Sequence, residues 1–436
     1  MKDKKKKGID LQWQILIGII AGIVFGILIY QISGPGVSSG PIFLMKVFFK
    51  YAGDIFIRLL RMMIVPLVFA SIYMAVVNLG DIRELGKIGG KTVAYYMATT
   101  ALAVLLGLLL VNIIHPGHGI DKEALAALNI STSIPHEVAS QDVSERSAAV
   151  IIVDTLVNMI PKNPAAAMAE GDVLQIIFFT IFFGIMAAVV GRDSKPITDV
   201  INGLDMIMQR SVMAVMVIAP YSIFCLVSAI FMDLGLDALF ALGKYAFTVI
   251  LGLLLHAAVT LSVLVMIIGR YSPIKLFKAL SPAIMTAWST ASSAATLPLT
   301  MDCLTQKAGV DKKITNFVLP LGATVNMDGT ALYESIAVIF IAELMGIDLT
   351  IGMQAIIFIT ATLAAIGAAA IPGAGLVTMG IVLTAAGMPL DGIGLILAID
   401  RILDQFRTAV NVWGDATAGI VVGRLEGGIS DEIDTK

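Results

Sequence analysis

The chain has 436 residues, of which 58% are hydrophobic and only 14% are charged, and its mean hydropathy is +0.92. Soluble globular domains carry about one quarter charged residues, so this composition excludes an ordinary soluble protein and predicts a multi-pass protein of the lipid bilayer. A net charge of -3 does not indicate a nucleic-acid partner, and two cysteines provide neither a disulfide framework nor a set of zinc ligands.

The first predicted span follows a basic N-terminus. Five lysines occur among the first eight residues, and an apolar run over residues 11–32 comes directly after them. This run is long enough to cross a bilayer, so we expect a retained helix with a cytoplasmic N-terminus. Gly18, Gly22 and Gly26 recur in it every four residues. That spacing is equally consistent with a close helix contact and with the ordinary glycine content of membrane helices.

Five further spans are predicted over residues 42–79, 88–114, 172–191, 196–232 and 239–269. Basic residues follow the second, fourth and sixth spans, whereas the intervening turns carry acids such as Asp233 and Asp237. This asymmetry predicts that the polar segment 115–171 is external and that both chain termini are cytoplasmic.

Three interruptions mark the apolar second half. Residues 279–302 are too short to cross twice and are flanked by lysines, which predicts a re-entrant hairpin that enters from the cytoplasm. The span 313–345 is broken over residues 322–330, and a glycine-rich stretch at 366–379 predicts a second hairpin that enters from outside. Opposite sidedness indicates an inverted repeat with a binding site near the midplane.

The last span carries charge at bilayer depth. Its polar residues recur at steps of four, three, four and four, which aligns them on one face of a helix: Asp400, Asp404, Arg407, Asn411 and Asp415. A charged side chain there costs about 2.5–3.5 kcal/mol, so we expect this stripe to face a cavity, cations or a charged ligand.

The stripe has the chemistry of a zwitterion site. Arg407 can hold a carboxylate with two hydrogen bonds, and Asp404 can pair with an ammonium group. The alternative is that these two residues pair only with each other. Ser292 and Ser293 offer hydroxyl and backbone N–H groups for a second carboxylate.

The broken span has the chemistry of a cation site. Carboxylate and amide oxygens occur in it and on the last span, and oxygen is the ligand that hard cations such as sodium prefer: Asn326, Asp328, Asn411 and Asp415. An ordinary turn is the alternative for the broken segment.

Catalysis is not indicated. The four histidines are His115, His118, His136 and His256. None has a nucleophile motif nearby, so we expect no enzyme activity and interpret His256 as a buried packing residue.

Four motifs together resemble one family: SSAATLP in the first hairpin, GATVNMDGTALYE in the broken span, IGAAAIPGAG in the second hairpin and DRILDQFRTAVNVWGD in the last span. The chain resembles the dicarboxylate/amino acid:cation symporters, the family of the excitatory amino acid transporters and their prokaryotic homologues. The resemblance implies an all-α homotrimer with eight transmembrane helices and two re-entrant hairpins that works as an elevator. It implies sodium-coupled symport of glutamate or aspartate across the cytoplasmic (inner) membrane. A proton- or sodium-coupled carrier of C4-dicarboxylates or neutral amino acids is the alternative.

The resemblance also implies a division of the chain. Residues 1–80 would provide scaffold helices 1 and 2, residues 88–114 helix 3 of the transport domain, and residues 115–232 the external segment with scaffold helices 4 and 5. Residues 239–424 would form the remainder of the transport domain, and residues 425–436 a cytoplasmic tail.

Site residues are implied in the same way. Arg407 would hold the side-chain carboxylate of the substrate, Asp404 its amino group and Asn411 its main-chain carboxylate. The full substrate-binding set is Ser292, Ser293, Thr330, Asp404, Arg407, Thr408 and Asn411. The set for co-transported sodium ions is Tyr96, Thr99, Thr100, Gly322, Thr324, Asn326, Met327, Asp328, Asn411 and Asp415.

Two positions leave alternatives open. Glu334 is a candidate proton carrier, because a lone carboxylate at bilayer depth is costly to keep charged, or else a structural acid. Ala291 stands where some prokaryotic relatives carry an arginine, and the sequence leaves open whether Arg401 takes that role.

Overall fold

The computed structural model describes residues 11–34, 39–77, 86–118, 157, 159–347, 349–367 and 374–429. Within these ranges the regular elements are helices, together with one isolated bridge between Val310 and Ile429. The N-terminal lysines, His136, the centre of the second predicted hairpin and the end of the tail lie outside the described residues. The predicted all-α class is confirmed for the described chain.

The α-helices are α1 Leu11–Ser33, α2 Gly40–Val77, α3 Gly86–Ile114, α4 Pro164–Glu170, α5 Val173–Val190, α6 Lys195–Leu255, α7 Ser262–Ile267, α8 Pro273–Thr290, α9 Ser293–Asp302, α10 Lys312–Val325, α11 Asp328–Leu344, α12 Ile351–Ala364, α13 Ala374–Ala385 and α14 Ile393–Leu425. Wider π-helical turns at His256–Leu261 and Cys303–Lys307 continue α6 and α9.

Five stretches of the described chain are long and apolar enough to cross a bilayer: Gln14–Ser33, Ile88–Ile114, Gln175–Met232, Phe240–Ile267 and Lys312–Leu344. The third has 58 residues, whereas one crossing needs about 20. In α2 the first half carries Lys46, Lys50 and Asp54, which leaves Met62–Met74 as its apolar part. The chain is therefore a multi-pass membrane protein.

The turn predicted at Asp233 and Asp237 is wrong. Helix α6 continues through both positions for 61 residues. Neither aspartate removes a backbone donor, and no proline lies between residues 221 and 255, so nothing in this segment forces the helix to end.

Two helices meet at the first predicted hairpin. Helix α8 ends at Ala291, whose φ of 49° is left-handed, and the Ser292 hydroxyl then caps α9 by accepting from the Ala295 N–H at 3.2 Å. The two helices pack against each other and against α14. At the second predicted hairpin α12 also packs against α13, and residues 368–373 between them lie outside the described chain.

The predicted break in the next span is narrower than expected. Residues 322–325 belong to α10 and residues 328–330 to α11, so only Asn326 and Met327 leave the helical conformation. Glycine and threonine weaken a helix but do not prevent it inside a packed bundle. The break places the C-terminus of α10 against the N-terminus of α11 inside the molecule.

The glycine stripe of α1 is a close helix contact. A Cβ atom at Gly18 would lie 2.5 Å from the Pro220 carbonyl oxygen of α6, and one at Gly22 would lie 2.9 Å from the Phe224 carbonyl oxygen. At Gly26 it would lie 2.5 Å from the Phe231 Cβ. Larger residues would push α1 away from α6.

We expect Gly22→Val to lower the apparent melting temperature of the purified protein in detergent, because overpacking costs about 1–3 kcal/mol. The matched control is Gly203→Val, since a Cβ there meets no described atom within 4 Å. Equal melting temperatures for the two variants would contradict the contact.

Candidate functional site

The polar stripe predicted on the last span lies on α14 and is buried along its length. Asp400, Asp404, Arg407, Asn411 and Asp415 have exposed fractions between 1% and 6%. Unpaired charges at this depth would be strongly destabilising, so their partners define the site.

Arg407 is held from three sides. Its Nη1 donates to Asp400 Oδ1 at 2.9 Å and its Nη2 to Asp404 Oδ1 at 2.8 Å. The guanidinium carbon lies 4.0 Å from the centre of the Tyr333 ring, and the Tyr333 hydroxyl donates to Asp400 Oδ1 at 2.8 Å. The pairing of Arg407 with Asp404 that the sequence left as an alternative is present, with Asp400 as a second partner.

Helix α13 approaches the same guanidinium. A Cβ atom at Gly375 of α13 would lie 2.8 Å from Arg407 Cζ, which leaves room for glycine alone. Arg407 Nε has no hydrogen-bond partner among the described residues. A carboxylate ligand could therefore accept a hydrogen bond from Arg407 Nε, but it would compete with Asp400 and Asp404 for Nη1 and Nη2.

Arg401 also reaches the site. Its Nη1 donates to Asp404 Oδ2 at 3.2 Å, and the residue is buried. Asp404 is thus shared by two guanidinium groups, and with Asp400 the cluster holds two negative and two positive charges. The sequence left the position of Arg401 open, and the structure puts it beside Asp404.

A second centre forms around Asp328 at the start of α11. The Thr100 hydroxyl of α3 donates to Asp328 Oδ1 at 2.7 Å and the Thr99 hydroxyl at 3.3 Å. On the other oxygen, Oδ2 lies 3.2 Å from His256 Nε2. His256 is buried as predicted, but its interpretation as a packing residue alone was wrong. The 72 residues between His256 and Asp328 left no local sequence signal for this contact.

Asp415 lies beside the break between α10 and α11. Asn326 Nδ2 donates to Asp415 Oδ1 at 3.0 Å, and Asn326 Oδ1 has no partner among the described residues. A Cβ atom at Gly322 would lie 2.5 Å from Asp415 Oδ1 and would also meet the Tyr96 hydroxyl oxygen. The Tyr96 hydroxyl itself donates to the Val318 carbonyl at 2.9 Å. This concentration of oxygen atoms fits a hard monovalent cation.

Asn411 joins the broken span to the stripe. Its Oδ1 accepts from the Gly329 N–H at 2.8 Å, and its Nδ2 lies 3.1 Å from Met327 Sδ and 3.4 Å from the Thr330 hydroxyl oxygen. Asn411 therefore contacts the predicted substrate set and the predicted cation set at once.

The remaining predicted residues differ in placement. Ser292, Ser293 and Thr408 are buried. Thr324 is exposed, and its hydroxyl donates to the Leu321 carbonyl at 3.0 Å within its own helix. Thr324 is therefore not oriented toward the other cation residues in this structure.

Glu334 is fully buried on α11, one residue after Tyr333. Thr378 and Arg407 are its polar neighbours. Among the described residues, neither of its carboxylate oxygens has a hydrogen bond of ordinary geometry. A carboxylate without such hydrogen bonds is costly to bury.

Comparison with known proteins covers nearly the whole chain. Residues 11–425 match the model of the sodium:dicarboxylate symporter family. The chain is 35% identical over 424 residues to the proton/sodium-glutamate symport protein of Bacillus caldotenax, with 97% of this chain and 96% of that protein covered. It is 35% identical over 478 residues to excitatory amino acid transporter 2 of Homo sapiens, with 100% of this chain and 82% of that protein covered. With the proton/glutamate-aspartate symporter of Escherichia coli it shares 34% identity over 418 residues, covering 96% of this chain and 93% of that protein.

Proposed function

The chain belongs to the sodium:dicarboxylate symporter family, and from that premise we propose that it carries glutamate or aspartate across the membrane together with sodium. It is a transporter and not an enzyme. The observation that carries the choice of substrate is the neutral buried cluster in which Arg407 bridges Asp400 and Asp404.

An acidic amino acid matches this cluster group for group. Its side-chain carboxylate would accept hydrogen bonds from Arg407, and its ammonium group would donate to Asp404. Arg407 and Asp404 would then each exchange their mutual hydrogen bond for one to the substrate. A C4-dicarboxylate has no ammonium group. It would therefore replace the Asp404 partner of Arg407 without replacing the Arg407 partner of Asp404. Asn411 would hold the main-chain carboxylate with the Ser293 backbone. Thr330, whose hydroxyl oxygen lies 3.4 Å from Asn411 Nδ2, would lie near the side-chain carboxylate.

Sodium is proposed to bind where carboxylates and free oxygens meet. Asp415 with the unpartnered Asn326 Oδ1 forms one candidate centre, and Asp328 with Thr99 and Thr100 forms another. Binding at either centre would act on Asn411 through the broken span, which gives cation and substrate a shared contact.

The architecture is proposed to be that of an elevator. Helix α1 packs along α6, and α2 packs along α5 and α6, whereas α3 packs mainly on α11. This grouping supports a scaffold of residues 1–80 and 115–232 and a transport domain of residues 88–114 and 239–424, with the boundary inside the continuous helix α6. Eight membrane crossings, two of them from α6 and its continuation, re-entry of both hairpins, cytoplasmic termini and a homotrimer complete the proposal.

Uptake into proteoliposomes tests the substrate. We expect labelled aspartate to enter with an inward sodium gradient and to be displaced by unlabelled glutamate but not by an equal excess of succinate or malate. The physical reason is that a dicarboxylate would take Arg407 from Asp404 without bringing an ammonium group to replace it, so Asp404 would lose one charged hydrogen bond, worth about 1.5–3 kcal/mol, and keep Arg401. Arg407→Cys should lower aspartate uptake at least about 30-fold, the equivalent of about 2 kcal/mol for a buried charged contact.

Competition by succinate as strong as that by glutamate would contradict the substrate assignment. Normal aspartate uptake by Arg407→Cys would show that the arginine serves the fold instead.

Sodium dependence tests the cation centres. We expect Asp328→Asn and Asp415→Asn each to raise the sodium concentration needed for half-maximal aspartate binding by about 10–100-fold, because a charged oxygen ligand contributes about 1.5–3 kcal/mol. Binding is measured by titration of sodium at fixed aspartate.

Asp205→Asn is the matched control for these two variants. Asp205 is also a buried aspartate, and it accepts from the Ser71 hydroxyl at 2.8 Å and from Gln209 Nε2 at 2.7 Å between α2 and α6. Sodium curves for Asp328→Asn and Asp415→Asn that coincide with the control would assign both carboxylates to helix packing.

The Glu334→Gln variant tests whether aspartate uptake is coupled to proton transport. A proton that Glu334 carries inward makes net uptake faster as the external pH falls. We expect Glu334→Gln to keep sodium-dependent exchange of aspartate and to lose the pH dependence of net uptake. It should also lose any stimulation by internal potassium, because the resemblance implies potassium countertransport for family members with glutamate at this position. Both are measured with labelled aspartate in liposomes of fixed internal composition. If the unmodified protein shows neither dependence, Glu334 is a structural acid.

A further inference from the structure

Two histidines and a glutamate outside the substrate and cation centres lie close together. Helix α3 ends at Ile114, and His115, Pro116, Gly117 and His118 form the turn that follows. Glu343 comes from the last turn of α11. The ligating atoms of His115, His118 and Glu343 all lie within 4.8 Å of one another. We propose that these three side chains bind zinc or a divalent transition metal of similar chemistry.

The turn stacks its two imidazole rings on each other. His115 has a φ of 46°, in the left-handed region that costs a non-glycine residue about 1–2 kcal/mol. The His118 N–H donates to the His115 carbonyl at 3.3 Å, and the two rings are parallel within 3°, with centres 4.7 Å apart. The left-handed residue is itself a histidine, and a ring nitrogen of each histidine lies within 4.8 Å of the Glu343 carboxylate.

Glu343 is fixed from two sides. Its Oε1 lies 2.8 Å from His115 Nδ1, and its Oε2 accepts from the Gly117 N–H at 2.8 Å. A Cβ atom at Gly117 would lie 2.6 Å from the Glu343 Cβ, so the close approach needs glycine. A backbone donor on a ligating carboxylate is the outer-sphere support that metal sites use.

The donor set suits zinc better than sodium, calcium or magnesium. Imidazole nitrogen is a ligand for transition metals, whereas calcium and magnesium prefer oxygen. Two histidines and one carboxylate leave the fourth tetrahedral position for water. Donors around zinc are about 3.3–3.5 Å apart. His115 Nδ1 and Glu343 Oε1 must therefore move apart from 2.8 Å, whereas ligand atoms separated by up to 4.8 Å must close in. The His115 side chain is 46% exposed and can rotate.

The site is independent of the proposed transport function. Along α11, Glu343 is about 22 Å from Asp328 at about 1.5 Å per residue. A simple ion pair between His115 and Glu343 is the competing explanation, and it makes no use of the His118 nitrogens.

His118→Phe separates the two explanations, because phenylalanine keeps a ring to stack on His115 but offers no ligand. Protein without a histidine tag is titrated with zinc chloride by calorimetry, and its melting temperature is measured with zinc and with magnesium. We expect the unmodified protein to bind zinc and to melt at a higher temperature with zinc but not with magnesium. His118→Phe should bind zinc at least about 100-fold more weakly.

Glu170→Gln is the control variant, since it removes an exposed carboxylate from α4 and should leave zinc binding unchanged. His118→Gln is the second variant if phenylalanine prevents folding. Equal zinc affinity in the unmodified protein and the His118 variants, or a melting temperature of the unmodified protein that zinc does not change, would overturn the metal site.

Discussion

The cost of burying charge is the constraint on which the interior of this protein depends. Arg407 is 1% exposed, and a guanidinium at that depth is tolerated only with partners on most sides. Asp400 and Asp404 neutralise it, Tyr333 covers one face, and the glycine at position 375 lets a second helix approach the other. The Arg407 side chain therefore lies where helices α11, α13 and α14 meet.

A short helix break serves as the second organising feature. Because only Asn326 and Met327 leave the helical conformation, the two half-helices stay packed while the break turns backbone and side-chain oxygens inward. Asp415 and Asn411 of α14 meet this break at successive turns. The charged cluster and the oxygen-rich centre are consequently neighbours along one helix.

Helices that were predicted from the length of an apolar run agree with the structure. A helix end that was predicted from charged residues does not. The spans at 88–114 and 172–191 agree closely with α3 and α5. The expected turn at Asp233 fails because an acidic residue does not interrupt helical hydrogen bonds, whereas Ala291 and Ser292 end and restart helices through backbone conformation and capping.

By itself, the sequence determined the membrane class and the one-sided stripe of α14, because both follow from composition and from a helical period within one segment. The family followed from motifs of the same local kind. Only the tertiary structure decided which stripe residues pair, that Arg401 shares Asp404, and that His256 contacts Asp328 across 72 residues. The contact of His256 with Asp328 joins separate helices, and the relative placement of helices depends on packing that no local pattern encodes. The pairs within α14 depend on side-chain rotamers, which residue spacing alone does not determine.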